Sequence, residues 1–213
     1  LQITVIQDEK PEILKVSEIR TLLYEAKVHK HDWYPIWAVA LLTGMRNGEL
    51  FALKWEDVDF DGDSITVQRS YNRRAREMKS TKAGYWRTVP ISSELKEVLS
   101  QLRKTTDGEF VLPRSRLWKQ GSQAKVLKEF CRFINIEPIK FHTLRACFAT
   151  ELLGQGVESR KVMKICGWRD LKTMARYVRL AGIDERGVTE ALQFLPSEDD
   201  ISGNVVSIFK GKE

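Results

Sequence analysis

The residues from Trp33 to Leu42, Trp-Tyr-Pro-Ile-Trp-Ala-Val-Ala-Leu-Leu, are almost wholly apolar, and this run limits the fold more than any other feature. It is long enough to prefer a helix over a strand. A helix that is apolar on every side has to be enclosed by other elements. The chain has the material to enclose it: 213 residues, 42% of them hydrophobic, with six Trp and nine Phe to fill a core. That composition excludes a disordered chain, and a domain of this length buries a core without metals or disulfides. No run approaches the roughly 18 apolar residues of a membrane span.

Around this helix the periodicities predict a mainly helical α+β domain with a small antiparallel sheet. Residues 1–16 read as an extended lead-in. A first helix is predicted over Glu18–Ala26, with Ser17 as its N-cap. Thr43-Gly44 ends the apolar run, and a short helix follows through Glu49 to Leu53. Leu95, Val98, Leu99 and Leu102 mark one amphipathic helix behind a Ser92/Ser93 cap. Val126, Leu127, Phe130, Cys131 and Ile134 mark a second, and Leu144, Phe148 and Leu152 a third, stopping near Gly154 and Gly156. A helix over Ser159–Ile165 ends at Gly167, and Asp170 can cap one running through Val178. Gly187–Leu195 reads as a last helix and Pro196–Glu213 as a polar tail. The chain opens on Leu1-Gln2-Ile3, with neither an initiator Met nor a signal-like segment, so it is expected to be part of something longer.

Between Lys54 and Ile91 the pattern changes. Asp61-Gly62 precedes the alternating Ser64-Ile65-Thr66-Val67-Gln68, a hairpin signal, and Arg87–Ile91 reads as a further strand. Asp57-x-Asp59-x-Asp61-Gly62 also matches the first half of a calcium-binding loop. Its twelfth position is Gln68, which offers no bidentate carboxylate, so a hairpin turn is preferred to a calcium site. The three cysteines (Cys131, Cys147, Cys166) and three histidines lack metal-ligand spacing, and no metal or cofactor is expected. Unpaired cysteines of this kind fit a reducing compartment and serve as small buried hydrophobes.

The charge is one-sided. Lys and Arg number 35 against 29 acids, a formal +6, which permits nucleic acid as a partner. The most basic stretch runs from Arg69 to Arg87 and holds Arg69, Arg73, Arg74, Arg76, Lys79, Lys82 and Arg87 against the single acid Glu77. Most such runs are solvated turns, but this one is one-sided and surrounds Lys82, so Arg69, Arg73, Arg74, Arg76, Lys79 and Arg87 are expected to contact a DNA phosphate backbone.

Four short words carry chemistry. Arg46 follows the apolar run in Thr43-Gly44-Met45-Arg46-Asn47-Gly48-Glu49, where an unpaired charge is costly, so it needs a role or a partner such as Glu49. His142-Thr143-Leu144-Arg145 places a histidine and an arginine three apart, on one face if helical. Cys166-Gly167-Trp168 follows, then Tyr177, which in isolation reads as a core residue. Taken in order, with a lysine in the basic hairpin, these words resemble the catalytic domain of the tyrosine recombinase, or phage integrase, family over about Ser17–Leu195.

The resemblance implies a set of roles. Arg46 and Arg145 match the family's two arginines, Lys82 the hairpin lysine (with Lys79 nearby as the alternative), and His142 the histidine of the H-x-x-R box. Trp168 takes a position held by His or Trp, and Tyr177 matches the nucleophile. The residue types suit phosphodiester chemistry. Guanidinium forks match the charge spread over non-bridging oxygens, a phenol with pKa of about 10 needs cations or a base beside it, and His142 is the neutral-pH base. The resemblance further implies a 3′-phosphotyrosyl intermediate that needs neither ATP nor metal, double-stranded DNA as partner, and a homotetramer on DNA from monomers without it. It also implies a missing N-terminal clamping domain and a cytoplasmic, prokaryotic or phage-encoded, mobile-element setting. Residues 186–209, with the apolar Val205–Phe209 patch, are either a segment exchanged between protomers or a loose terminus. Two other readings stay open: a type IB topoisomerase-like nickase, and a non-catalytic DNA-binding protein of the same fold.

Overall fold

A computed structural model describes residues 13–80 and 86–181, all within one unit, Leu1–Gly182; a second unit, Ile183–Glu213, lies outside the described residues. The predicted last helix at 187–195 and the tail at 196–213 therefore lie outside them, as does Lys82.

Helix α1 covers Val16–Val28 and α2 Tyr34–Thr43. The apolar run is α2, and Ile36, Trp37, Ala38, Val39, Ala40 and Leu41 are all buried, with α1, α4 (Ser93–Thr105) and α7 (Thr143–Gly154) packed around it. Gly44 stops α2 in the left-handed region at φ 61°. A β-carbon there would also collide with the ring of Phe148, so glycine is required on two counts. Helix α3, Asn47–Ala52, restarts at once. The start of α1 departs from expectation: Lys15 occupies the N-cap, and Ser17 falls inside the first turn. Glu18 accepts the Lys15 N–H at 2.7 Å, so a carboxylate three residues along closes the start of the helix in place of a serine cap.

The sheet has strands β1 (Val58–Asp59), β2 (Ser64–Val67) and β5 (Arg87–Pro90), in the order β1-β2-β5 and antiparallel throughout. Two aspartates of the calcium-like loop, Asp57 and Asp59, are used by the chain itself. Asp59 Oδ1 accepts the N–H groups of Asp61 and Gly62, closing the hairpin, and Asp57 accepts from Lys54, Gln68 and Arg69. Between β2 and β5 the basic stretch folds as its own hairpin, β3 (Arg69–Asn72) with β4 (Glu77–Ser80), lying against α3.

The remaining helices are α5 (Arg116–Gln120), α6 (Gln123–Phe133), α8 (Ser159–Cys166) and α9 (Leu171–Leu180). Ser92 and Asp170 cap α4 and α9 as their sequences indicate. Helix α5, with Ser115 as its cap, is too short to show periodicity. Helix α7 corrects the single stripe expected of it. Leu144 and Cys147 enter the large core around α2, while Ala146, Ala149 and Leu153 enter a second core shared with Val162, Cys166 and Tyr177. Its second face is built of small residues, which leave little hydrophobic periodicity to read. Phe148 and Leu152 are only partly buried, against that second core. Among the described residues no helix is long and apolar enough to cross a membrane.

Candidate active site

The site is built where α8 stops. Gly167, at φ 63°, turns the chain out of the helix, and the Trp168 N–H returns to Met163. The carbonyls of Ile165, Cys166 and Gly167 are then left facing one side. Each accepts from a different arginine: Ile165 from Arg87 Nε at 2.7 Å, Cys166 from Arg145 Nη2, and Gly167 from Arg46 Nη2 at 3.2 Å. Helix C-termini are partially negative, so three guanidinium groups gather there at reduced electrostatic cost.

Arg145 sits in the first turn of α7, only 2% exposed, and its Nη1 donates to the carbonyl of Gly44 at 2.5 Å. It therefore ties the end of α2 to the end of α8. Burial, with the Arg46 charge adding to it, lowers its pKa to about 10, so it stays protonated at neutral pH. Arg46 lies at the N-cap of α3 with its side chain 45% exposed, bonded to Glu49 at 3.0 Å. Glu49 is buried and accepts four bonds: the Arg46 N–H and Nη1, and Arg87 Nη1 and Nη2 at 2.9 and 2.6 Å. Burial pushes its carboxyl up, but the bonds and charge of Arg87 outweigh that and hold it below the usual range.

His142 occupies the N-cap of α7, and its side chain is exposed. Partial removal from water, then the charges of Arg145 and Arg46, lower its pKa, so the imidazole is neutral at neutral pH. Tyr177 comes from α9, which Asp170 anchors through the N–H and hydroxyl of Thr173. Its ring stacks on Trp168, and Arg145 lies over the same indole at 5.5 Å. Burial raises the phenol pKa, with the Arg145 charge opposing it.

Arg46, His142, Arg145, Trp168 and Tyr177 all line one cavity of about 450 Å³, together with Glu49 and Arg87. Its walls carry four arginines against two carboxylates, a net of two positive charges suited to an anion. The basic stretch divides. Arg73, Arg74, Arg76 and Lys79 are exposed on the hairpin, with Lys79 paired to Glu77 and Arg73 reaching Gln120. Arg69 is half-buried between Asp57 and Glu56, and Arg87 is 8% exposed, so both depart from the expectation of an open phosphate contact. Each faces a buried or adjacent carboxylate that outcompetes solvent for the guanidinium. Glu49 was foreseen as a partner of Arg46, since it lies three residues along. Its pairing with Arg87, 38 residues away, left no local signal.

Comparison with known proteins shows which family the chain falls in. Residues 9–182 match the phage integrase family profile. Tyrosine recombinase XerA of Pyrococcus furiosus is 32% identical over 145 residues, covering 65% of this chain and 46% of that protein. Among solved structures, the Tn1549 transposon integrase in complex with a circular intermediate DNA superposes with a TM-score of 0.69 at 18% identity, over 83% of this chain and 65% of that one. A lambda integrase tetramer bound to a Holliday junction gives 0.59 at 20% identity, over 84% and 50%. The chain spans about half the length of the curated relatives it matches. This chain belongs to the phage integrase family.

Proposed function

We propose that the chain is the catalytic domain, over residues 17–195, of a site-specific DNA recombinase that cuts and rejoins strands through a 3′-phosphotyrosyl intermediate. The observation that carries this reading is the convergence of Arg46, His142, Arg145 and Tyr177 on one cationic cavity from three separate helices. Arg46 and Arg145 hold the non-bridging oxygens of the scissile phosphate, where charge grows during attack. The Tyr177 oxygen attacks phosphorus as its proton passes to His142, which is neutral and so able to accept it. The bond from phosphorus to the 5′ oxygen breaks, and that oxygen takes a proton from Lys82, with Lys79 as the alternative donor. Trp168 buttresses Tyr177 and can donate through Nε1–H but accept nothing. The new phosphotyrosyl ester retains the energy of the old bond, so attack by a 5′ hydroxyl rejoins the strand without ATP.

The exposed cations of the β3–β4 hairpin, Arg73, Arg74, Arg76 and Lys79, contact the backbone of double-stranded DNA beside the cut. Assembly is as a homotetramer on DNA, with residues 186–209 exchanged between protomers, and the setting is the cytoplasm of a prokaryote. The DNA in the Tn1549 integrase complex and the tetramer of lambda integrase support the DNA and tetramer parts of this reading.

The test uses a suicide duplex. A pool of duplexes of randomised sequence, each nicked so that the short 5′-hydroxyl fragment diffuses away, is incubated with the chain, and covalently captured DNA is recovered. Wild type should form a protein–DNA adduct resistant to denaturant, and Tyr177→Phe should form none. An adduct that persists in Tyr177→Phe removes the assigned nucleophile. Capture by wild type of nothing covalent, with binding intact, leaves a DNA-binding protein.

A further inference from the structure

Arg87 lines the cavity but has no part in the chemistry above. Its place is set by the sheet, since β5 pairs with β2 so that Arg87 lies opposite the buried Val67. From there the side chain crosses to α8. Its Nε meets Ile165, its two terminal nitrogens meet the two oxygens of Glu49, and its stem passes so close to Gly167 that a β-carbon there would lie 2.9 Å from Arg87 Cδ. The turn that presents Trp168 therefore rests on Arg87.

The consequence falls on Arg46. One buried carboxylate is shared by two guanidinium groups. Arg87 takes both of its oxygens as a fork, and Arg46 keeps a side-chain bond to one of them. Without Arg87, Glu49 would be a buried anion with Arg46 as the cation of its pair, and Arg46 would be drawn inward to neutralise it. A guanidinium locked on a carboxylate is less able to bind a phosphate.

We propose that Arg87 is a positioning residue: by occupying Glu49 and bracing the end of α8, it leaves Arg46 facing the cavity and able to grip the scissile phosphate. The inference rests on the phosphoryl-transfer reading above. Lysine is no substitute, because a single ammonium has no planar fork to span both carboxylate oxygens while also reaching the Ile165 carbonyl.

The experiment measures the rate of adduct formation at saturating concentrations of the duplex recovered with wild-type protein, and the salt dependence of binding to that duplex. Being a first-order rate of the bound, folded protein, it does not depend on how much of each variant folds. Arg87→Gln should react about a hundredfold more slowly, on the scale of losing an oriented donor. Its log-affinity against log-salt slope should match wild type, since no phosphate contact is lost. Arg87→Lys should recover less than tenfold. Adding Glu49→Gln to Arg87→Gln should recover at least tenfold, because the carboxylate that captures Arg46 is gone. A rate for Arg87→Gln within threefold of wild type overturns the inference. So does a salt slope shallower by about 0.9, the mark of a direct phosphate contact, and so does a double variant no faster than the single one. Absence of any adduct with wild type overturns the functional reading and this inference together.

Discussion

The phenol of Tyr177 lies flat on the indole of Trp168, ring centroids 4.6 Å apart and planes within 7° of parallel. The stack joins the start of the turn after α8 to the second half of α9, and with the second core around it Tyr177 is only 7% exposed. Burial raises the pKa of this phenol against the opposing charge of Arg145, so the proposed nucleophile holds its proton more tightly than a free phenol does.

Trp168→Phe keeps an aromatic face for Tyr177 while losing the Nε1–H donor and one ring of the indole. Its single-turnover cleavage should fall less than that of Arg46→Ala or Arg145→Ala. Each arginine loss should cost about 3–4 kcal/mol of transition-state stabilisation, as removal of an oxyanion donor does. Equal losses for all three variants would contradict this ranking.

Cleavage should show an acidic limb set by His142. The folded-state pKa is lowered below the ordinary histidine value of about 6.5, and the base works only when deprotonated. The rate should therefore rise with pH through a point below about 6.5 and level off toward neutrality. His142→Gln should lower the plateau and abolish the limb, measured as adduct formation in buffers spanning the acid range.

Gly44→Ala should destabilise the fold by about 1–3 kcal/mol, since it places a side chain at positive φ and against Phe148. The Gly44 carbonyl also holds Arg145, so cleavage should fall further than stability alone explains. Urea unfolding and single-turnover cleavage on the same preparation separate the two effects.

Charge reversal on the exposed hairpin should act on binding. Arg74→Glu and Arg76→Glu should each weaken affinity for duplex DNA, with the salt slope shallower by about 0.9 for each phosphate contact removed. The reaction rate at saturating DNA should change little. A titration across low to moderate salt gives both quantities, and an unchanged slope would return the hairpin to a solvated turn.

Much of the fold was legible because it is written locally. The apolar run names the central helix, Ser92 and Asp170 name two helix starts, and Gly44 and Gly167 name two stops, each within a single turn of the residues affected. Helix α5 and the second face of α7 were not legible, one being too short for periodicity and the other too rich in small residues.

The candidate site divides in the same way. Arg46, His142, Arg145, Trp168 and Tyr177 could be picked out from their order along the chain, and Glu49 from its spacing to Arg46. That three arginines would meet three successive carbonyls, and that Arg87 would turn inward to Glu49 while Arg74 and Arg76 stay exposed, was decided only by the tertiary structure. Helical period and capping depend on neighbours a few residues apart, which a sequence displays directly. Which carboxylate a guanidinium finds depends on strand register and on how helix ends cross, and these exist only once the core has closed.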